Sequence, residues 1–196
     1  MTIMAIDTAS TRSSVAIIDD NDNKYTEGGD CDNSHSESLF KLIELLFSKH
    51  NYNYSKIDCI AVAIGPGSFT GVRAGLSAAQ GINLVIQKPL YGVSSLEAQA
   101  YGIFCAYHGQ KNIRAIIDAN RDFVYTQLFN CELIPISEPE IIHKNDLDLS
   151  NCIAYQDIQM QKIDASHVGF LILHRLSMGH IISSAKALYL RYKNDN

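Results

Sequence analysis

The chain alternates between short apolar runs and longer stretches whose apolar positions repeat at helical spacing. Apolar runs rich in β-branched residues predict strands at 3–6, 14–18, 59–64, 90–93, 113–118 and 123–130, with a further strand-like run ending at 28–29. Helical spacing predicts helices at 35–48, 70–86, 95–107 and 167–176. The region from 135 to 165 has only a weak pattern. Strands followed by alternating helices and strands indicate an α/β fold with a mixed sheet.

The most specific motif is Gly-Pro-Gly-Ser-Phe-Thr-Gly-Val-Arg-Ala-Gly at residues 65–75, directly after the apolar run that ends at Ile64. Glycine and proline permit a tight turn there, and Ser68 or Thr70 can cap the helix that follows. A phosphate-binding loop is disfavoured because Val72 stands where such a loop carries lysine. The spacing also differs from a dinucleotide fingerprint.

Small residues follow the motif along one side of its helix. Gly71, Gly75 and Ala78 share a stripe on which another backbone can approach closely. We therefore interpret this helix as a docking surface. Arg73, the charge within it, is either a plain surface charge or an anchor for a partner's carboxylate.

The helix at 35–47 is apolar on nearly every side, interrupted only by Lys41 and Glu44. Such a helix must be covered on a second face, either as a central core helix or at a subunit interface. Of these two interpretations we favour the subunit interface, in which helix 70–86 would lie beside helix 35–47. The residues predicted at this interface from the first helix are Leu39, Phe40, Ile43, Leu46 and Phe47.

The motif from Gly65 to Arg73 resembles the signature of the bacterial TsaB/YeaZ family. The stretches 4–16, 92–98 and 118–125 are similar to other parts of that family, and 187–191 resembles its closing Pro-x-Tyr-Leu-Arg, with Ala187 in place of proline. The resemblance is close over 1–130 and thin afterwards. It also indicates a deficit of residues between about 130 and 185.

The resemblance implies a ribonuclease-H-like fold of the actin-like ATPase superfamily, with subdomains at 1–108 and, in reduced form, 109–196. It implies a non-catalytic scaffold subunit needed for threonylcarbamoyl transfer to the adenosine beside the tRNA anticodon. The partners implied are a TsaD-like catalytic subunit and a TsaE-like ATPase, with a homodimer when alone and tRNA contacted only through the complex. No catalytic residue, metal site or cofactor of its own is expected. Whether ATP or ADP binds at an interface of the complex is left open by the resemblance.

A weak nucleotide site is the alternative at the end of the first strand. Asp7, Thr8 and Ser10 occupy the turn that contacts phosphate and metal in actin-like ATPases, but Ala9 replaces the usual glycine. A hairpin turn held by its own polar side chains is about equally compatible with this sequence. A small ATP-dependent phosphotransferase is therefore the rival function. A peptidase is disfavoured because the chain has neither a recognisable nucleophile–base motif nor a pair of histidines one helical turn apart.

Composition narrows the choice further. The formal net charge is −5, with 16 Lys plus Arg against 21 Asp plus Glu and no basic run. Since phosphate neutralisation supplies most nucleic-acid affinity, little tRNA binding by this subunit alone is expected. The chain has no run of 18 apolar residues and no secretory pattern, and its five cysteines are scattered. We expect a cytoplasmic protein without a membrane partner.

Overall fold

The computed structural model describes residues 1–10, 12–19, 23–30, 35–107, 109–154, 163–180 and 185–190. These residues form nine strands in two sheets. The strands are β1 (Thr2–Asp7), β2 (Arg12–Asp19), β3 (Lys24–Asp30), β4 (Cys59–Ala63), β5 (Leu90–Val93), β6 (Asn112–Asp118), β7 (Phe123–Phe129), β8 (Glu140–His143) and β9 (Cys152–Ala154). The α-helices within the described residues are α1 (His35–His50), α2 (Phe69–Ile86), α3 (Ser95–Ala106) and α4 (Ala165–Ser177).

The first sheet has the order β3-β2-β1-β4-β5. Strands β1, β2 and β3 are antiparallel, whereas β4 pairs parallel with β1 and β5 parallel with β4. This is the ribonuclease-H-like arrangement predicted from the sequence. The predicted helices and most predicted strands agree with the structure to within a few residues.

Helices cover both faces of the first sheet. Helices α1 and α2 lie on the face of Ile6, and α4 lies on the face of Ala5. A methyl group at Gly169 of α4 would fall 2.7 Å from the side chain of Ile18 and 3.1 Å from that of Ala5, so this helix packs closely on the sheet. Burial on both faces explains why β1 reads as an uninterrupted apolar run rather than an alternating one.

The second sheet has the order β8-β7-β6-β9, with β9 parallel to β6 and the other pairs antiparallel. It repeats the first four positions of the first sheet, a repeat that the sequence does not reveal. Helix α3 packs on β6 and also against α4. Strands β8 and β9 lie in the region of weak pattern, where strands of four and three residues are too short to produce a periodicity.

The predicted boundary at residue 108 separates the two sheets but not all of the helices. Helix α3, before the boundary, packs mainly on the second sheet, and α4, after it, packs on the first. The division into subdomains at 1–108 and 109–196 therefore stays a prediction. Within the described residues, no helix is both long and apolar enough to cross a bilayer.

Candidate functional site

The glycine-rich motif forms the turn between β4 and α2. Gly65 has a φ of 89°, in the left-handed region that glycine tolerates, and its peptide bond to Pro66 is cis. Ser68 caps α2, its hydroxyl accepting a hydrogen bond from the N–H of Gly71 at 3.1 Å. Of the two capping residues that the sequence allowed, the structure uses Ser68.

The stripe of small residues on α2 faces the end of β1 within the same chain. A methyl group at Gly71 would overlap the carbonyl oxygen of Thr8, and one at Gly75 would overlap the Thr8 hydroxyl. That hydroxyl donates to the carbonyl of Gly71 at 2.6 Å, and Ala78 is buried in the same core. The prediction that Gly71, Gly75 and Ala78 face a partner subunit is therefore corrected, because their small size serves internal packing.

Helix α1 is amphipathic rather than apolar on all sides. Leu39, Ile43 and Leu46 are buried in the core of the first sheet, which corrects their prediction as interface residues. Phe40 points outward with 48% of its surface exposed. Phe47 is partly buried and meets the ring of Tyr54 edge-on at 4.9 Å.

Helices α1 and α2 each carry large apolar side chains that are exposed in the described structure. Phe40 and Phe47 line a groove of about 440 Å³ on α1. At the end of α2, Leu84 and Val85 are 81% and 83% exposed. Soluble monomers rarely leave large apolar side chains exposed in adjacent positions without an interaction to cover them.

Arg73 has partners within the chain. Its guanidinium carbon lies 3.8 Å from the centre of the Phe69 ring, and its Nε donates to the Tyr189 hydroxyl at 3.3 Å. The rings of Phe69 and Tyr189 are 5.4 Å apart. The guanidinium thus joins the start of α2 to the end of the chain, where the backbone N–H of Leu188 also donates to the carbonyl of Ile64 at 2.8 Å.

A cleft of about 820 Å³ opens between the ends of β1 and β4, the start of α2 and the β6–β7 turn. Asp7 and Ser10 line it. The Asp7 carboxylate accepts hydrogen bonds from the Ala9 N–H at 2.9 Å and the Ser10 hydroxyl at 2.6 Å. Thr8 is fully buried against Gly71 and does not line the cleft, so its prediction as a nucleotide contact is corrected.

Two carboxylates near this cleft have opposite pKa shifts. Burial raises the pKa of Asp7, and the charge of Asp164 adds to the effect, while the hydrogen bonds from Ser10 and Ala9 oppose it. Burial also acts to raise the pKa of Asp164, but contacts with His167 and Ser166 outweigh it and lower the value to about 2. Asp164 is the N-cap of α4, where a negative charge is favoured by the helix dipole.

Known proteins resemble this chain in sequence. The profile of the family described as "TsaD: tRNA N6-adenosine threonylcarbamoyltransferase" matches residues 27–136. The "tRNA threonylcarbamoyladenosine biosynthesis protein TsaB" of Escherichia coli (strain K12) is 32% identical over 160 residues, covering 76% of this chain and 68% of that protein. Its namesake in Haemophilus influenzae is 30% identical over 125 residues, which are 64% of this chain and 52% of that protein.

The chain belongs to the TsaB/YeaZ family. The solved structure "YeaZ from Pseudomonas aeruginosa" shares the fold over nearly the whole length, with a TM-score of 0.79, 21% identity, and coverage of 96% of this chain and 99% of that one. The family and the fold predicted from the sequence are thereby confirmed.

In this TsaB-family chain, sequence reasoning missed two polar residues of the cleft, Ser95 and Gln99. Ser95, Gln99 and Asp118 line it together with Asp7. Ser95 and Gln99 lie at the start of α3, and Asp118 ends β6, where its carboxylate lies 3.0 Å from the Lys144 ammonium. Asp118 follows an apolar run in the same way as Asp7.

Proposed function

We propose that the protein is a non-catalytic accessory subunit of tRNA threonylcarbamoyladenosine biosynthesis and docks onto a TsaD-like catalytic subunit. The names of the related proteins support the pathway. The match to the TsaD profile spans residues 27–136, a range that contains both α1 and α2. The two subunits would therefore be homologous in these helices.

The observation that carries the proposal is the set of exposed apolar side chains on α1 and α2. Burying one large apolar side chain contributes roughly 1.5–3 kcal/mol, so covering Phe40, Leu84 and Val85 would favour association strongly. Homologous subunits can present equivalent helices to each other in a pseudo-symmetric interface. In the absence of the partner, a second copy of this chain would cover the same side and form a homodimer with two-fold symmetry.

The remaining partners are assigned by charge and by the pathway. The net charge of −5 favours a role in which tRNA is held by the complex rather than by this subunit. A TsaE-like ATPase would complete the assembly in the cytoplasm, and ATP or ADP would act at an interface of that complex.

The test replaces outward apolar residues by glutamate. We expect Phe40→Glu and Val85→Glu to abolish co-purification with a TsaD-like subunit and to convert the homodimer to monomer, because each places a charge in a desolvated interface. Ile134→Glu is the matched control, since Ile134 is 51% exposed but lies in the connection between β7 and β8, outside α1 and α2. Sedimentation velocity measures assembly, and circular dichroism verifies that each variant is folded.

Two results would contradict the proposed interface. Folded Phe40→Glu and Val85→Glu variants that still bind the partner would place the interface elsewhere. Equal loss of binding in Ile134→Glu would show that the effect is one of charge rather than position.

A small ATP-dependent phosphotransferase is the second candidate, favoured by the cleft in which Asp7 and Ser10 lie. The proposed scaffold role predicts no steady ATP hydrolysis by the purified chain. Sustained turnover that Asp7→Ala removes would favour the phosphotransferase instead.

A further inference from the structure

One row of exposed residues runs along α2 from its first turn to its last. Its members follow one another at steps of three or four residues, which keeps them on one side of a helix. Large apolar side chains stand at the two ends, a cation and an amide lie inside them, and a serine lies at the centre. This outer row consists of Phe69, Arg73, Ser77, Gln80 and Leu84.

The outer row is self-complementary when α2 lies antiparallel to a copy of itself. A two-fold axis at Ser77 makes Phe69 of each helix meet Leu84 of the other, and Arg73 meet Gln80. The apolar ends then pack on each other, and the small residue at the centre lets the two backbones approach. A parallel pairing would instead bring the two Arg73 guanidinium groups together, which like-charge repulsion disfavours.

Arg73 is ordered by its own chain but keeps free donors. Its guanidinium carbon lies 3.8 Å from the centre of the Phe69 ring, and its Nε donates to the Tyr189 hydroxyl at 3.3 Å. Within the part of the chain that the structure describes, its two Nη groups make no hydrogen bond or ion pair. Because the side chain is already held in place, a carboxylate that binds the Nη edge costs little further conformational entropy.

Helix α2 does not supply that carboxylate. Its sequence contains neither aspartate nor glutamate, and the residue that faces Arg73 in the antiparallel pairing is the neutral Gln80. Within one helix these two residues are seven positions apart, beyond the spacing of three or four at which helical side chains pair. A second copy of this chain therefore offers Arg73 an amide oxygen, where a different subunit can offer a full negative charge.

We propose that Arg73 selects the partner of α2 by requiring a carboxylate on the helix that packs against the outer row. The occupant is a helix of another subunit with aspartate or glutamate at the place that Gln80 takes in a second copy. The inference rests on the proposed function for the side of α2 that is covered. The homodimer forms without this ion pair and is the weaker assembly, so the cognate subunit displaces the second copy.

The variant Gln80→Glu turns a second copy into such a partner, so the purified full chain is its own probe. We expect it to self-associate at least about tenfold more tightly than wild type in sedimentation velocity at low salt, which is about 1.4 kcal/mol. The gain should shrink as sodium chloride is raised, because salt screens exposed charges. Gln110→Glu is the matched control, since Gln110 is also exposed but lies between α3 and β6.

Exchanging the two charges separates partner selection from a structural role of Arg73. The double variant Arg73→Glu, Gln80→Arg should self-associate as tightly as Gln80→Glu, because the same ion pair forms with its charges reversed. A role confined to Phe69 and Tyr189 would not be restored in this way, since both contacts need the guanidinium at its present place. Circular dichroism verifies that each variant is folded.

Two results would overturn the proposal. One is a Gln80→Glu variant that associates no more tightly than Gln110→Glu, including the case in which both stay monomeric at about 100 µM. The other is a folded double variant that associates no more tightly than wild type, which would confine Arg73 to its own chain. Failure of the proposed interface is read separately, from Phe40→Glu and Val85→Glu.

Discussion

The substitution Gly71→Ala has two opposing effects on the free energy of unfolding, and the structure allows us to compare them. In a helix, alanine is favoured over glycine by about 1 kcal/mol. At this position, however, the new methyl group would overlap the carbonyl oxygen of Thr8, a backbone atom that can retreat only if β1 moves. Overpacking costs about 1–3 kcal/mol, and losing the hydrogen bond from Thr8 to Gly71 adds about 1 kcal/mol. We expect a net destabilisation of about 2 kcal/mol.

Gly81→Ala on the same helix is the matched control. Gly81 is exposed and a methyl group there would meet no atom within 4 Å, so only the helix preference remains and the variant should be more stable by about 0.5–1 kcal/mol. Urea denaturation followed by circular dichroism measures both. A decrease of about 2 kcal/mol also lowers the melting temperature by about 4–8 °C in a protein of this size. If Gly71→Ala raised stability as Gly81→Ala does, the close approach of α2 to β1 would be refuted.

Further predictions concern charged groups. Because the folded protein lowers the pKa of Asp164 to about 2, this carboxylate stabilises the fold above its unfolded pKa, and the stabilisation is lost as pH falls below 4. Allowing for solvent screening, the stabilisation is about 1 kcal/mol. Asp164→Asn should therefore flatten the acid limb of a curve of stability against pH. Asp7 has a raised pKa, so its contribution becomes unfavourable as pH rises through that pKa; Asp7→Asn should gain stability relative to wild type at pH 7 but not at pH 3, measured by the same denaturation. Glu97 and Arg175 pair at 2.6 Å between α3 and α4, and Arg175→Met should cost about 1–3 kcal/mol, with a double-mutant cycle against Glu97→Gln showing coupling; additive effects would contradict it.

The sequence predicted β1, β2 and β4 well because these strands are buried on both faces and therefore read as apolar runs. It could not predict β8 and β9, since each has too few residues for a pattern and is defined by its pairing with distant strands. The ribonuclease-H-like order of the first sheet rested on resemblance as much as on periodicity. The repetition of that order in the second sheet is implied by the family resemblance, but the sequence pattern does not show it.

The candidate interface was only partly predictable for a related reason. An excess of apolar residues in α1 predicted more than one contacting side, but the sequence could not assign Leu39 to the core and Phe40 to the surface. Small residues on α2 signalled a close approach, and the approaching backbone proved to be that of Thr8 in the same chain. Spacing identifies a contact surface without identifying what lies against it.

The position of α4 gives this fold a dependence on the order of its synthesis. Ala5 and Ile18 are near the start of the chain, yet the helix that packs over them ends only at Ser177. A ribosome adding about 5–20 residues per second would leave that face of the first sheet without its helix for on the order of ten seconds. The nascent chain would therefore depend on chaperones during this interval, and a product truncated before α4 would present an apolar sheet prone to aggregation.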